Sequence, residues 1–149
     1  MMNDGMDDIE TFNQWSVAPY VKVLAQYRPD NFFGADFQYE FKGQYCNNAL
    51  IFVSGYEYWS YLSVNLTDGT AFSTMGNPLT SNCNIIYSYS NYYGEEEITI
   101  IDTESKKQLG LIIDGWHTVE SKQDINKIYL KMKSMNCAEK VNHIKITIK

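Results

Sequence analysis

Apolar residues alternate with polar ones along most of this chain, and this period of two constrains the fold more than any other sequence feature. Phe37, Tyr39 and Phe41 alternate with charged or polar residues, which is the pattern of a strand with one buried face. Similar short runs recur between Gly, Asn and Asp turn signals. Strands are predicted at residues 36–42, 49–54, 58–66, 70–75, 84–90, 96–102, 109–114, 127–133 and 143–149.

Two local patterns add detail to these strands. Asp68 and Gly69 lie between two runs and predict a tight hairpin, because Asp-Gly suits a turn whose central residues both have positive φ. Near the C-terminus, Ile128, Leu130 and Met132 alternate with lysines. The lysine alternation favours a strand whose lysine face is exposed to solvent. The apolar positions within residues 121–135 also fit helical spacing, so a helix is the alternative.

The first 30 residues carry helix signals instead. Asp7 or Asp8 is a candidate N-cap for one short helix, and Ser16 with Pro19 in the first turn starts a second. Pro29 ends it, because proline disfavours helical geometry in the residue before it. The prediction is therefore a mainly β fold bordering on α+β, an antiparallel β-sandwich or open barrel of about eight or nine strands with one or two N-terminal helices. Residues 1–149 form one predicted domain, with a helical segment at 1–30 and a β domain at 35–149.

Charge is divided unevenly along the sequence. Residues 1–104 hold fourteen acidic residues against three basic ones, whereas residues 105–149 hold nine lysines against four acidic residues. The net charge of −6 and the acidic first part favour binding to a basic macromolecule. We expect no binding to nucleic acid, whose phosphates the acidic part repels.

Cysteine usage and hydropathy bear on the compartment. Cys46, Cys83 and Cys137 are widely spaced and form no CxxC pair, so three free thiols in a reducing cytoplasm are the main interpretation. One disulfide with a spare thiol is the alternative. The chain begins without the basic start and apolar run of a secretory signal, and no apolar run is long enough for a transmembrane helix. We expect a cytoplasmic protein that does not bind membranes.

The strongest candidate site is a run of aromatic and acidic residues where two predicted strands meet. Tyrosines at interfaces act as anchors, and carboxylates steer a basic partner and raise its association rate. A solvated turn whose charge blunts a strand edge is the competing interpretation. The predicted partner-binding residues are Tyr92, Tyr93, Glu95, Glu96, Glu97, Asp102 and Glu104.

Other patterns are weaker. A group of aromatic residues suggests a stacking platform for sugars, with core packing as the competing interpretation. His117 and His143 are the only histidines, and a nucleophile made from Cys46 with His117, or from Cys137 with His143, has no supporting motif. No metal or cofactor motif is present, so we expect no cofactor. The aromatic group comprises Tyr56, Tyr58, Trp59, Tyr61, Tyr87, Tyr89, Tyr92 and Tyr93.

These observations favour a binding protein over an enzyme. The leading hypothesis is an acidic protein of the bacterial immunity or antitoxin type, which neutralises a basic toxin by occluding its active site. In the most specific version of this hypothesis, the toxin is a nuclease. A carbohydrate-binding β-sandwich module using Trp59 is the alternative. An enzyme with a site near His117 is the third hypothesis.

Overall fold

The computed structural model describes residues 37–137 and 139–149, and this part of the chain is mainly β. Its ten strands form three antiparallel sheets, none of which closes into a barrel. The predicted helices within residues 1–30 lie outside the described residues. The strands are β1 (Gln38–Tyr45), β2 (Asn48–Gly55), β3 (Tyr58–Asn65), β4 (Ala71–Thr74), β5 (Ile85–Tyr92), β6 (Glu95–Asp102), β7 (Lys107–Asp114), β8 (Trp116–Asp124), β9 (Lys127–Ser134) and β10 (Val141–Thr147).

The chain divides into two compact units, Met1–Thr74 and Met75–Lys149. The first contains one sheet with the order β1-β2-β3-β4. Alternate residues of these strands share one face, so Tyr39, Ile51, Val53 and Leu62 are buried together in the core of this unit. The single domain expected from the sequence stays a prediction.

The loop between β3 and β4 differs from the expected tight turn. Gly69 has a φ of 74°, but Asp68 is not among the residues with positive φ, so the prediction of two positive φ values is wrong. Instead, the Gly69 N–H donates to the carbonyl oxygen of Asn65 at 3.0 Å, and the Asn65 N–H donates to the carbonyl oxygen of Thr70 at 2.7 Å. A longer loop forms because Asn65 Oδ1 accepts the backbone N–H of Thr67 at 2.9 Å.

The second unit contains two three-stranded sheets, with the orders β5-β6-β7 and β10-β9-β8. Ile98 and Ile100 of β6 share a core with Ile128 and Leu130 of β9, so the two sheets pack their apolar faces against each other. The Tyr87 hydroxyl lies 2.9 Å from Ser121 Oγ and joins β5 to β8. Burial raises the pKa of Tyr87, an effect opposed by the Ser121 hydrogen bond and assisted by nearby Tyr89.

The strand prediction for the lysine-bearing segment is confirmed. Ile128, Leu130 and Met132 are buried in the core, and the intervening residues of β9 lie on the opposite face. The helical alternative for residues 121–135 is wrong, because β8 ends at Asp124 and a tight turn at Ile125, with a φ of 55°, leads into β9.

The prediction of about eight or nine strands missed β8. Its inward positions at Ser121 and Gln123 are polar, and a register shift between Thr118 and Glu120 interrupts the period of two. The pattern therefore lacked the apolar alternation that identified the other strands.

The cysteines do not follow the main interpretation from the sequence. Cys46 and Cys83 are disulfide-bonded, whereas Cys137 is free and exposed. The expectation of three buried free thiols is wrong, and one disulfide with a spare thiol is correct. A disulfide is typical of an oxidising compartment, so cysteine usage no longer supports the cytoplasmic prediction.

Candidate protein-binding site

The turn between β5 and β6 presents the two tyrosines of the predicted site. Tyr92 pairs with Glu95, and the two residues between them, Tyr93 and Gly94, have φ values of 50° and 85°. Positive φ at both central residues matches the twist of the flanking strands in a two-residue hairpin. Asn91 Oδ1 accepts the Gly94 N–H at 3.2 Å and so fixes the turn.

The rings of the two tyrosines contact each other at this turn. Their centroids lie 4.3 Å apart with an interplanar angle of 73°, an edge-to-face arrangement. Tyr93 is 83% exposed and Tyr92 is 38% exposed. The pair therefore forms an aromatic projection that is largely in water.

Cross-strand register gathers acidic and apolar side chains beside this projection. Glu95 pairs with Tyr92 on one side and with Asp114 of β7 on the other, while Glu97 pairs with Ile112. Alternation places all five side chains on the face of the sheet opposite the core. We call Tyr92, Tyr93, Glu95, Glu97, Ile112 and Asp114 the acidic patch.

The centre of the acidic patch is concave and partly apolar. A small cavity of about 70 Å³ is lined by Met75, Tyr92, Glu95, Glu97 and Ile112. Ile112 is 66% exposed and adds apolar surface to this concave centre. Exposed apolar surface rimmed by carboxylates is the composition expected of a protein-binding surface.

The electrostatics of the patch are uniformly negative. Glu95, Glu97 and Asp114 occupy neighbouring register positions, and none of the three forms an ion pair with another described residue. Three unpaired carboxylates at this spacing repel one another and attract a cationic partner.

Glu96 does not belong to the surface that the sequence analysis assigned to it. Its side chain is 1% exposed and faces the core, since it lies one residue out of phase with Glu95 and Glu97. Glu96 Oε1 accepts Asn91 Nδ2 at 3.1 Å, and Oε2 accepts the Thr118 N–H at 2.9 Å. The expectation of a surface-exposed Glu96 is wrong, and this residue supports the site from within.

Asp102 and Glu104 lie at the other end of β6. Glu95 and Asp102 are seven positions apart along the strand, which corresponds to about 23 Å. Asp102 Oδ1 accepts the backbone N–H groups of Glu104 at 3.0 Å and Ser105 at 3.3 Å, so its carboxylate caps the turn into β7. The structure therefore does not bring these two residues together with the acidic patch.

Sequence reasoning missed Ile112 and Asp114. Both lie on β7 and reach the patch only through its pairing with β6. The Asp114-Gly115 pair is a sequence signal for a turn that could have indicated this pairing, and Gly115 does have a positive φ of 83°. The Gly115 N–H donates to the Gly94 carbonyl oxygen at 2.9 Å. That bond holds the two turns of the patch together.

The aromatic group behind the carbohydrate hypothesis is divided among different environments. Tyr87 is buried, Tyr89 packs against the same core, and Tyr58 packs edge-to-face on Phe37 at 5.6 Å. Tyr56 lies at the turn between β2 and β3 and is 78% exposed. Tyr58, Tyr87 and Tyr89 pack against cores, as the competing interpretation from the sequence expected. Trp59 and Tyr61 share the opposite face of β3, and sugar binding there stays a prediction.

The histidines show no catalytic arrangement in the part of the chain that the structure describes. His117 Nδ1 is buried and makes no hydrogen bond, and His143 pairs with Lys131 across two strands. Cys46 is disulfide-bonded and has no free thiol, so it cannot serve as a nucleophile with His117. No group of three or more His, Cys, Asp or Glu side chains among the described residues is placed to hold a metal ion.

Comparisons with known proteins give no family for this chain. No protein-family model, curated protein or solved structure matches it. Within residues 37–137 and 139–149, no helix is long and apolar enough to cross a membrane.

Proposed function

We propose that this protein binds a basic protein partner through the acidic patch and neutralises it by occluding its active site, in the manner of a bacterial immunity protein or antitoxin. The observation that carries the proposal is the presence of three carboxylates around exposed Ile112 and the Tyr92–Tyr93 pair. An enzyme that acts on nucleic acid presents a cationic cleft to its substrate. Carboxylates that enter such a cleft compete with phosphate for the same side chains.

The patch supplies the two contributions that a tight inhibitor needs. Its carboxylates accelerate encounter with a cationic surface and disfavour wrong partners. Tyr93 and Ile112 offer apolar area that a partner can desolvate, and buried aromatic anchors provide most of the binding energy in many interfaces.

The proposed contact set is narrower than the one expected from the sequence. Tyr92, Tyr93, Glu95 and Glu97 remain in it, and Ile112 and Asp114 are added. Glu96 positions the patch from the core, while Asp102 and Glu104 lie outside it.

We place the neutralisation in the cytoplasm, where a nuclease toxin meets its substrate. The disulfide-bonded state of Cys46 and Cys83 is typical of oxidising compartments, so the location requires its own test. Alkylation of protein taken from its native host provides this test and is described in the Discussion.

Comparative affinity capture from a lysate of the native host tests the proposal. The baits are the wild-type chain, the charge reversal Glu95→Lys/Glu97→Lys and the matched control Glu57→Lys/Glu104→Lys. All four substituted glutamates are partly or fully exposed, and both variants change the net charge equally. The proposal predicts one stoichiometric basic protein that binds the wild type and the control, elutes at high salt and does not bind the charge reversal.

Two results would contradict this proposal. Equal capture of the partner by wild type and charge reversal would place the contact elsewhere on the molecule. Loss of capture with the control variant as well would show a response to net charge alone. Circular dichroism of each bait establishes that the variants have folded before capture is compared.

A further inference from the structure

A second surface of the Met75–Lys149 unit has the opposite charge. A cavity of about 310 Å³ lies on the sheet formed by β8, β9 and β10. Its charged and aromatic lining consists of Glu120, Lys122, Tyr129, Lys131, His143 and Lys145, which we call the lysine groove.

Strand register gives the groove a definite arrangement. Tyr129 in the central strand pairs with Lys122 of β8 on one side and with Lys145 of β10 on the other. Because neighbouring strands lie about 4.8 Å apart, the two lysine Cα atoms stand about 10 Å from each other. Tyr129 is 38% exposed and lies between these two lysines in the register. Lysine side chains are long and flexible, so both ammonium groups can reach one ligand beside the ring.

One neighbouring lysine is already partly neutralised. Lys131 Nζ lies 3.6 Å from Glu120 Oε2, both in an exposed setting, whereas Lys122 and Lys145 form no ion pair with a described residue. The charges of Glu120 and the three lysines leave the groove with two positive charges. The acidic patch lies on the outer face of the other sheet of this unit, and packed sheets are about 10 Å apart. At physiological ionic strength screening acts over about 8 Å, so the patch does not cancel these charges.

This charge and shape select a class of ligand. A phosphate monoester carries a charge of about −1.5 to −2 at neutral pH, which matches the groove, whereas a carboxylate carries only one charge. Lysine binds phosphate as a point charge and needs no fixed bidentate geometry. An exposed aromatic ring between the lysines adds a stacking surface for a planar base or a sugar ring. The cavity volume lies near the lower limit for small-molecule sites, which favours a small ligand over a polymer.

We propose that the lysine groove binds a small phosphate monoester that carries a ring, with the phosphate held by Lys122 and Lys145 and the ring stacked on Tyr129. A nucleoside monophosphate and a sugar phosphate share this chemistry. The site is independent of the acidic patch and of the function proposed for it.

Titration of the ¹⁵N-labelled full-length chain by NMR tests the proposal with four probes. These are uridine 5′-monophosphate, glucose 6-phosphate, uridine and inorganic phosphate. We expect saturable shifts of β8, β9 and β10 amides with at least one of the two esters. Uridine and inorganic phosphate should each bind about tenfold more weakly than that ester, because uridine lacks the phosphate and inorganic phosphate lacks the ring. Stronger binding of one ester identifies the nucleotide or the sugar phosphate as the preferred source.

Variants separate specific binding from a general response to charge. Lys122→Gln/Lys145→Gln should weaken ester binding about tenfold or more, whereas the exposed pair Lys107→Gln/Lys140→Gln should bind as the wild type does. Tyr129→Thr keeps a good strand former and should weaken binding of the ester while leaving binding of inorganic phosphate unchanged.

Several results would overturn the assignment. These are the absence of saturable shifts with both esters, equal binding by the Lys122→Gln/Lys145→Gln variant, and binding of inorganic phosphate as tight as that of the ester that binds better. Concentration-dependent sedimentation that disappears in the same lysine variant would instead show that the groove receives the acidic patch of a second copy. The Glu95→Lys/Glu97→Lys variant should bind the ester normally, so failure of the proposed function leaves this test intact.

Discussion

The backbone N–H of Thr118 donates to Glu96 Oε2 at 2.9 Å and thereby joins the two sheets of the Met75–Lys149 unit. Thr118 lies where the register of β8 shifts, so its N–H is directed toward β6 and not along the β8–β9 ladder. Because Glu96 is fixed toward the core, strand alternation directs Glu95 and Glu97 to the outer face. One buried carboxylate therefore helps to set the orientation of the acidic patch.

Replacement of Glu96 should destabilise the fold. Glu96→Ala leaves the Thr118 N–H without an acceptor. The Asn91 amide loses one acceptor and keeps the Trp116 carbonyl oxygen at 3.2 Å. We expect the free energy of unfolding to fall by about 1–3 kcal/mol. The matched control Glu97→Ala changes the neighbouring residue on the outer face and should cost less than about 0.5 kcal/mol. Urea denaturation of both variants makes the comparison. Equal stability of the two would show that the Glu96 contacts add nothing.

Gly76 is predicted to tolerate no side chain. A Cβ atom at this position would lie 2.2 Å from the carbonyl oxygen of Tyr89, so backbone atoms of β5 would have to shift. Gly76→Ala should lower the free energy of unfolding by about 2 kcal/mol or more. Gly110→Ala is the control, because a Cβ there meets no atom within 4 Å, and it should be neutral or slightly stabilising. Equal melting temperatures of the two variants in thermal denaturation would contradict the close approach of Gly76 to the Tyr89 backbone.

Tyr45 should make stability depend on pH in the alkaline range. Burial raises its pKa to about 12, and the hydrogen bond with Ser63 Oγ at 2.6 Å opposes this shift. Since the unfolded pKa is about 10, the stabilisation is complete below pH 10 and is lost as the pH rises through about 12. The stability advantage of wild type over Tyr45→Phe should therefore shrink over this window. A difference between wild type and Tyr45→Phe that stays constant over this window would refute the assignment.

Thiol counting tests the cysteine assignment. Alkylation of protein purified without reductant should modify Cys137 only, because Cys46 and Cys83 are disulfide-bonded. Treatment with a reductant under denaturing conditions should then free two further thiols, those of Cys46 and Cys83, and so account for all three cysteines. The same assay on protein alkylated during lysis of the native host reports its compartment. Three reactive thiols there would indicate the cytoplasm, and one would indicate an oxidising compartment.

The alternation of apolar and polar residues predicted most strands, because a strand with one buried face requires an apolar residue at every second position. It succeeded at β9, where Ile128, Leu130 and Met132 alternate with polar residues without interruption. It failed at β8, because Ser121 is polar yet faces inward to meet Tyr87. An inward polar residue is satisfied by a partner 34 positions away in sequence, and local pattern holds no information about such a contact.

The candidate site was predictable only in part for the same reason. The hairpin placed Tyr92, Tyr93 and Glu95 together, and these neighbours are local in sequence. Glu96 was assigned to the surface because three consecutive glutamates suggest a solvated run, although a strand must direct the middle one to the other face. Asp114 joins the patch through the pairing of β6 with β7, which composition does not reveal.

The most direct test of the proposed neutralisation is co-expression of the captured basic partner with this protein, scored as survival of the host cells. Wild type and the Glu57→Lys/Glu104→Lys control should protect the cells, whereas Glu95→Lys/Glu97→Lys should fold and accumulate equally but give no protection. Equal protection by the charge-reversed protein would contradict the claim that the acidic patch occludes the partner. A partner that is harmless when expressed alone would contradict the claim that this protein is an immunity protein.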